Sequence, residues 1–176
     1  MKIKLLHFRL LWTTLAALAV FAILASLDML LKRRTGFGTA DLQRVSTAAD
    51  FDRIAGAWRF GTDLALAGFN LGFDYLFMPL YGFAFYYGAL TARDAFAPSG
   101  LLRRAFTLLA AVPLAGALFD ALENALESFL LIAGATDQVV SFAFKVTHAK
   151  FLCFYVGLGL WLLGLIGLAW RRKPAS

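Results

Sequence analysis

Asp120, Glu123, Asn124 and Glu127 stand at i, i+3, i+4 and i+7 inside an apolar run, so on a helix they form one polar stripe. Three carboxylates and an amide so arranged could exchange a proton, hold a cation or orient a polar ligand. The run covers about residues 105–133, long enough to span a bilayer. Ionisable groups in a membrane are expensive, so they are expected to face partners rather than lipid.

Two further apolar runs carry matching groups. In one, Asn70, Asp74, Phe77 and Tyr81 share a helical face, and Pro79 is expected to kink the helix. In the other, Ser141, Lys145, His148, Leu152 and Tyr155 line one face, and Thr147, Lys150 and Phe154 line another. A helical rise of about 1.5 Å per residue converts position into depth. Counted from the outer ends of their runs, Asp74, Glu127 and Lys145 lie about 9 Å down, His148 about 14 Å, Glu123 about 15 Å, Lys150 about 16 Å and Asp120 about 20 Å. Charges from three helices thus reach one layer in the outer half of the membrane. Lys145 can snorkel to the interface, whereas Lys150 is expected to pair with Glu123 or Asp120. The four carboxylates outnumber these cations, so some acid must be protonated, hydrated or bound to a cation. The candidate ligand- or proton-binding set is Asp74, Tyr81, Asp120, Glu123, Asn124, Glu127, His148 and Lys150.

The elements that would position them follow from hydropathy. The 176 residues are 61% hydrophobic, more than a soluble domain of this size needs. Four runs account for it, at about residues 8–31, 67–90, 105–133 and 139–170. No strand-like alternation accompanies them, so the expected fold is all-α: a polytopic membrane protein, a single membrane domain over residues 1–176, built as a four-transmembrane-helix bundle. The basic start and first run are expected to be a retained anchor rather than a cleaved signal, since the run is long and the small-residue site at 22–26 is weak. Cys153 is the sole cysteine, so no intrachain disulfide forms.

The connection at about residues 40–60 holds Phe51, Ile54, Ala55 and Trp58 at i, i+3, i+4 and i+7, which predicts a short amphipathic helix between spans 1 and 2. It either lies in the outer interface or caps the bundle. Asp28, near the outer end of the first run, is read as a solvated interfacial acid. Pro113 predicts a kink ahead of the acidic stripe, and Gly116 a close helix approach. Gly157, Gly159, Gly164 and Gly167 in the last run suit tight packing, including contact with another copy or a larger membrane complex.

The net charge of +6 does not imply nucleic acid, because the basic residues flank the runs and meet lipid headgroups. With four spans, Lys2, Lys4, Arg9, Arg93, Arg103, Arg104, Arg171, Arg172 and Lys173 fall on one side. Lys32, Arg33, Arg34, Arg44, Arg53 and Arg59 fall on the other. The larger set marks the cytoplasmic side, so both termini are expected in the cytoplasm, although Lys32-Arg33-Arg34 oppose that orientation.

Three strings read together carry a resemblance: Phe73-Asp74-Tyr75-Leu76-Phe77-Met78-Pro79-Leu80-Tyr81, Asp120-Ala121-Leu122-Glu123-Asn124 and Ala149-Lys150-Phe151. They resemble a family of small bacterial membrane proteins with four spans and no assigned activity. The resemblance implies that fold and a bacterial inner-membrane location. It favours Asp74, Tyr81, Asp120, Glu123, Asn124 and Lys150 over Lys145 and Glu127.

For chemistry, the sequence offers no P-loop, dinucleotide fingerprint or Gly-x-Ser-x-Gly elbow. No Glu-x-x-His or His-x-x-x-His pair occurs, and His7 and His148 belong to opposite membrane faces, so neither a metal nor any other cofactor is expected. The favoured expectation is a protein that binds or moves a lipid headgroup, a small amphiphile or a proton, with membrane lipids as partners. The alternatives are an intramembrane enzyme on a lipophilic substrate, with His148 or a protonated Glu as acid, and an accessory subunit of a larger complex.

Overall fold

The structure is a computed structural model that describes residues 2–59 and 61–171. Among these the regular structure is helical: α1 (Lys2–Thr35), a 3-10 helix (Thr39–Arg44), α2 (Ala48–Trp58), α3 (Asp63–Phe96), α4 (Gly100–Leu109), α5 (Val112–Ala133) and α6 (Asp137–Arg171). Three segments are long and apolar enough to cross a membrane: Lys4–Thr35, Gly100–Ala133 and Asp137–Trp170. The fourth expected span, at about 67–90, falls within α3, which is long but is not among the three. Its Asn70, Asp74, tyrosines and glycines dilute its apolar content. The surface is inverted relative to a soluble protein: Phe21, Leu118, Phe129, Ile132 and Leu152 are exposed, while Asn70, Asp120, Glu123 and Lys150 are buried. That pattern suits lipid outside and polar partners within.

The run at 105–133 is not one helix. It breaks at Ala110 and Ala111, between α4 and α5, just ahead of the expected kink. Pro113 has no N–H to donate, and its ring crowds the carbonyl four residues back, so the helix restarts instead of continuing. Pro79 has no such effect, and α3 runs through it unbroken.

The chain divides into two compact units. Unit 1 comprises Met1–Leu18, Pro79–Leu118 and Lys150–Ser176. Here the glycines of α6 pack within the chain: a Cβ at Gly157 would meet Phe85 and Pro113, one at Gly164 the backbone of Gly88, and one at Gly167 Ala95. Gly159 has open surroundings. Gly116 lies against Cys153, the close approach expected of it. Tyr81, Phe85 and Phe154 pack with steeply tilted rings, centroids 5.1–5.8 Å apart, and Trp161 Nε1 donates to Thr14 Oγ1 at 3.2 Å.

Unit 2 comprises Ala19–Met78 and Phe119–Ala149. The connection between α1 and α3 holds two elements where one amphipathic helix was expected. Gly36 ends α1 in the left-handed region at φ 88°, its N–H bonding Lys32 O at 2.8 Å. The 3-10 helix follows. Thr47 then caps α2, accepting from Asp50 N at 3.2 Å. Phe51, Ile54, Ala55 and Trp58 are all buried, in one core with Leu31, Ala67, Leu130 and Val140 from α1, α3, α5 and α6. The apolar face of α2 therefore turns into the protein and not into lipid.

The 3-10 helix is fixed by charge. Burial pushes the Asp41 carboxyl up, but the Gly38 N–H, the Lys32 ammonium and the Arg44 guanidinium together hold it below its ordinary value of 3.8. A lowered carboxyl contributes stability that is complete above its unfolded value and is lost as pH falls through the folded one. Thermal stability should therefore fall on acidification below about pH 4. Asp41→Asn should flatten that limb, with melting curves across the acid range as the check.

Candidate functional site

The site lies in unit 2 and is built by α3, α5 and α6. On α5, Asp120, Glu123, Asn124 and Glu127 are 5%, 0%, 1% and 4% exposed. Glu123 and Asn124 are among the largest fully buried side chains of the chain. The i, i+3, i+4, i+7 stripe is thus the inward face of α5, while Leu118, Leu122 and Phe129 point outward.

Two contacts tie the stripe to its neighbours. Asn124 Nδ2 donates to Asp74 Oδ2 and to Leu71 O on α3, both at 3.0 Å. Thr147 Oγ1 on α6 donates to Glu123 Oε1 at 2.6 Å, a length typical of a hydroxyl on a carboxylate. The same hydroxyl lies 3.0 Å from Ala143 O. It has one hydrogen, and a carbonyl only accepts. If Thr147 donates to Ala143 O, then Glu123 must carry a proton and donate to Thr147. If Glu123 is ionised, Thr147 donates to it. The site therefore has two hydrogen-bond arrangements that differ by one proton on Glu123.

Beside Glu127 and Thr147 is a cavity of about 10 Å³, walled by Leu42, Val45 and Phe51 from the connection and by Val140 and Phe144 from α6. It has room for about one water molecule. Tyr75 Oη donates to Ala121 O at 3.0 Å, which fastens α3 to α5 beside the stripe.

A second polar chain links α1, the 3-10 helix and α3. Asn70 Nδ2 donates to Thr39 Oγ1 at 2.8 Å, and Thr39 Oγ1 donates to Asp28 Oδ1 at 2.9 Å. Ala40 N also donates to Asp28 Oδ1, at 3.1 Å. Asp28 is therefore not simply a solvated acid; it anchors the 3-10 helix. A Cβ at Gly38 would meet its carboxylate, which would have to shift away from Thr39 and Ala40 to make room.

Of the residues expected from sequence, the structure brings Asp74, Asn124, Glu123, Asp120 and Glu127 into unit 2. His148 lies in the same unit but does not join the acids. That side chain is exposed, with Nδ1 2.8 Å from Phe144 O of its own helix and its ring against Phe144. Residues 144 and 148 are one turn apart, so the imidazole satisfies itself locally. Tyr81 and Lys150 are buried but belong to unit 1, Tyr81 among aromatic rings and Lys150 with Nζ 5.0 Å from the Phe151 centroid. Lys145 is exposed, in keeping with snorkelling. Thr147 was not expected as a site residue. Its signal was its place on the same α6 face as Lys150.

Asn124→Leu should expose the value of the α3–α5 contact. Hydrogen bonds within membrane proteins average about 0.6 kcal/mol and reach about 1.7 kcal/mol. Asn124 makes two, one to a carboxylate, so a loss near the upper figure is expected. Unfolding in mild detergent would measure it, with Asp74→Asn as the milder change.

Among the described residues no group of three or more His, Cys, Asp or Glu side chains is disposed to hold a metal ion. Comparison of the chain with protein-family models, with curated proteins and with solved structures finds no match in any of the three.

Proposed function

We propose that this chain is a four-span bacterial inner-membrane protein, with both termini cytoplasmic, that takes up and moves a proton through the buried carboxylates of α5. The observation that carries this reading is the Thr147 hydroxyl between Glu123 and Ala143 O, which accommodates either protonation state of Glu123 by turning one O–H. The 34-residue α3 is assigned as the fourth span, its polar groups Asn70 and Asp74 being buried or bonded inside unit 2 rather than offered to lipid.

Among the expected cargoes, the proton fits best. The cavity beside Glu127 and Thr147 has room for about one water, which can relay a proton but cannot house a headgroup or amphiphile. Glu127 lines that cavity, and Glu123 is one turn away on α5, linked to Thr147. A proton entering by water would reach Glu127 first and Glu123 next. The enzyme reading loses one of its two candidate acids, because His148 faces away. The accessory-subunit reading is weakened because Gly157, Gly164 and Gly167 already serve packing within the chain.

The test is reconstitution into lipid vesicles holding a pH-sensitive dye, with potassium and valinomycin to balance charge. An imposed pH difference should decay faster with the protein than in protein-free vesicles. Equal decay would remove the reading.

A further inference from the structure

One surface of the chain plays no part in the proton reading. The ten residues of α4, Gly100–Leu109, divide cleanly around a helical wheel. Leu101, Leu102, Ala105, Phe106, Leu108 and Leu109 occupy one continuous arc; Arg103, Arg104 and Thr107 occupy the other. Such a face normally packs on a core. Here none of the ten residues is buried, and Leu101 and Leu108 are 83% and 75% exposed.

On the apolar arc Phe106 packs against Ala89, Ala110 and Leu160, and the polar side is fastened to the protein by charge. Arg103 Nη2 lies 3.0 Å from Asp94 Oδ1, and Arg103 Nη1 donates to Ala97 O at 3.4 Å. Arg93 lies 2.9 Å from the same carboxylate and donates to Thr107 at 3.4 Å. The polar arc therefore holds α4 to the end of α3, and the leucines are turned away. At the other end, Ala110 and Ala111 separate α4 from α5.

We propose that α4 lies flat in the membrane interface and is a docking surface for anionic phospholipid. Three observations select that occupant. The leucine face is exposed, as are the apolar residues Leu118 and Phe129 of α5, the element that follows α4 in the chain. Among the described residues Arg93 and Arg103 share the single carboxylate of Asp94, and with Arg104 they leave a positive excess for a phosphate. An open depression along the surface of α4 sets Arg103 and Arg104 beside Leu101 and Leu108. Basic flank and apolar floor match the two ends of one phospholipid. This proposal is independent of proton movement and stands or fails without it.

The test uses the full chain with Cys153→Ala, spin-labelled through Leu101→Cys or Leu108→Cys, in vesicles of phosphatidylcholine with and without phosphatidylglycerol. Accessibility to oxygen and to a water-soluble nickel complex gives each label's depth. A helix lying flat puts both labels at the same depth, just below the headgroups. A helix continuing the span puts residue 108 about 10 Å deeper than residue 101, which would overturn the proposal. Labels that both remain in water would overturn it too, in favour of a protein partner for the leucine face. For lipid class, native mass spectrometry of the unlabelled protein should show phosphatidylglycerol retained in preference to phosphatidylcholine, and Arg104→Gln should weaken that preference about fivefold. An unchanged preference would overturn the anionic part.

Discussion

Glu123→Gln should return proton flux in reconstituted vesicles to the protein-free rate. Glutamine keeps the size and one acceptor oxygen but cannot gain or lose a proton at neutral pH. It would still accept from Thr147, so the packing of α5 against α6 is preserved and the variant should fold. Thr147 provides the graded comparison. Thr147→Val keeps the shape and removes the hydroxyl, leaving Glu123 Oε1 without its 2.6 Å donor. A hydrogen bond to a charged group contributes about 1.5–3 kcal/mol, so flux should fall about tenfold to a hundredfold. Thr147→Ser retains the hydroxyl and should retain most of the flux. A Thr147→Val protein as fast as the parent would show that the hydroxyl is no part of the path. These comparisons are read against Glu127→Gln, which should slow entry without abolishing the Glu123–Thr147 contact.

Trp58→Ala should cause the largest loss of stability. The indole is wholly buried in the core of unit 2, and its Nε1 donates to Phe37 O at 3.1 Å. Removing it empties the largest side chain from a cluster drawn from α1, α2, α3, α5 and α6, and takes one of two donors from the Phe37 carbonyl, the Thr35 hydroxyl at 2.9 Å remaining. Truncations of this size lose about 3–5 kcal/mol, and a chain of this length would melt about 10 °C lower. Trp58→Phe fills most of the space and should recover more than half of the loss. If Trp58→Ala melted like the parent, α2 would be lying on the membrane and not in the core.

The sequence carried much of this, and its failures have physical causes. Helix periodicity alone identified the α5 stripe, because a membrane helix has few polar residues and each is conspicuous. The same period found Phe51, Ile54, Ala55 and Trp58, yet it could not tell lipid from a protein core, since both accept the same apolar face. Depth arithmetic placed His148 level with the acids. Depth says nothing about rotation, however, and His148 faces outward to bond Phe144 O. Pro113 and Pro79 were read alike, but only the former stands at a break, where the preceding decapeptide is amphipathic and gains nothing from continuing into the spanning direction. Asp28 was read as exposed because its partner Thr39 lies on a 3-10 turn whose sequence has no helical period.

The measurement closest to the centre of this reading is infrared difference spectroscopy of the membrane-reconstituted protein as buffer pH is stepped. Glu123 should contribute a carboxylic-acid C=O band that rises as pH falls, shifts when Thr147 becomes valine, and is missing from Glu123→Gln. A spectrum with no such band at any pH at which the protein stays folded, or one identical in Glu123→Gln, would mean that Glu123 never exchanges a proton and that the stripe serves packing alone.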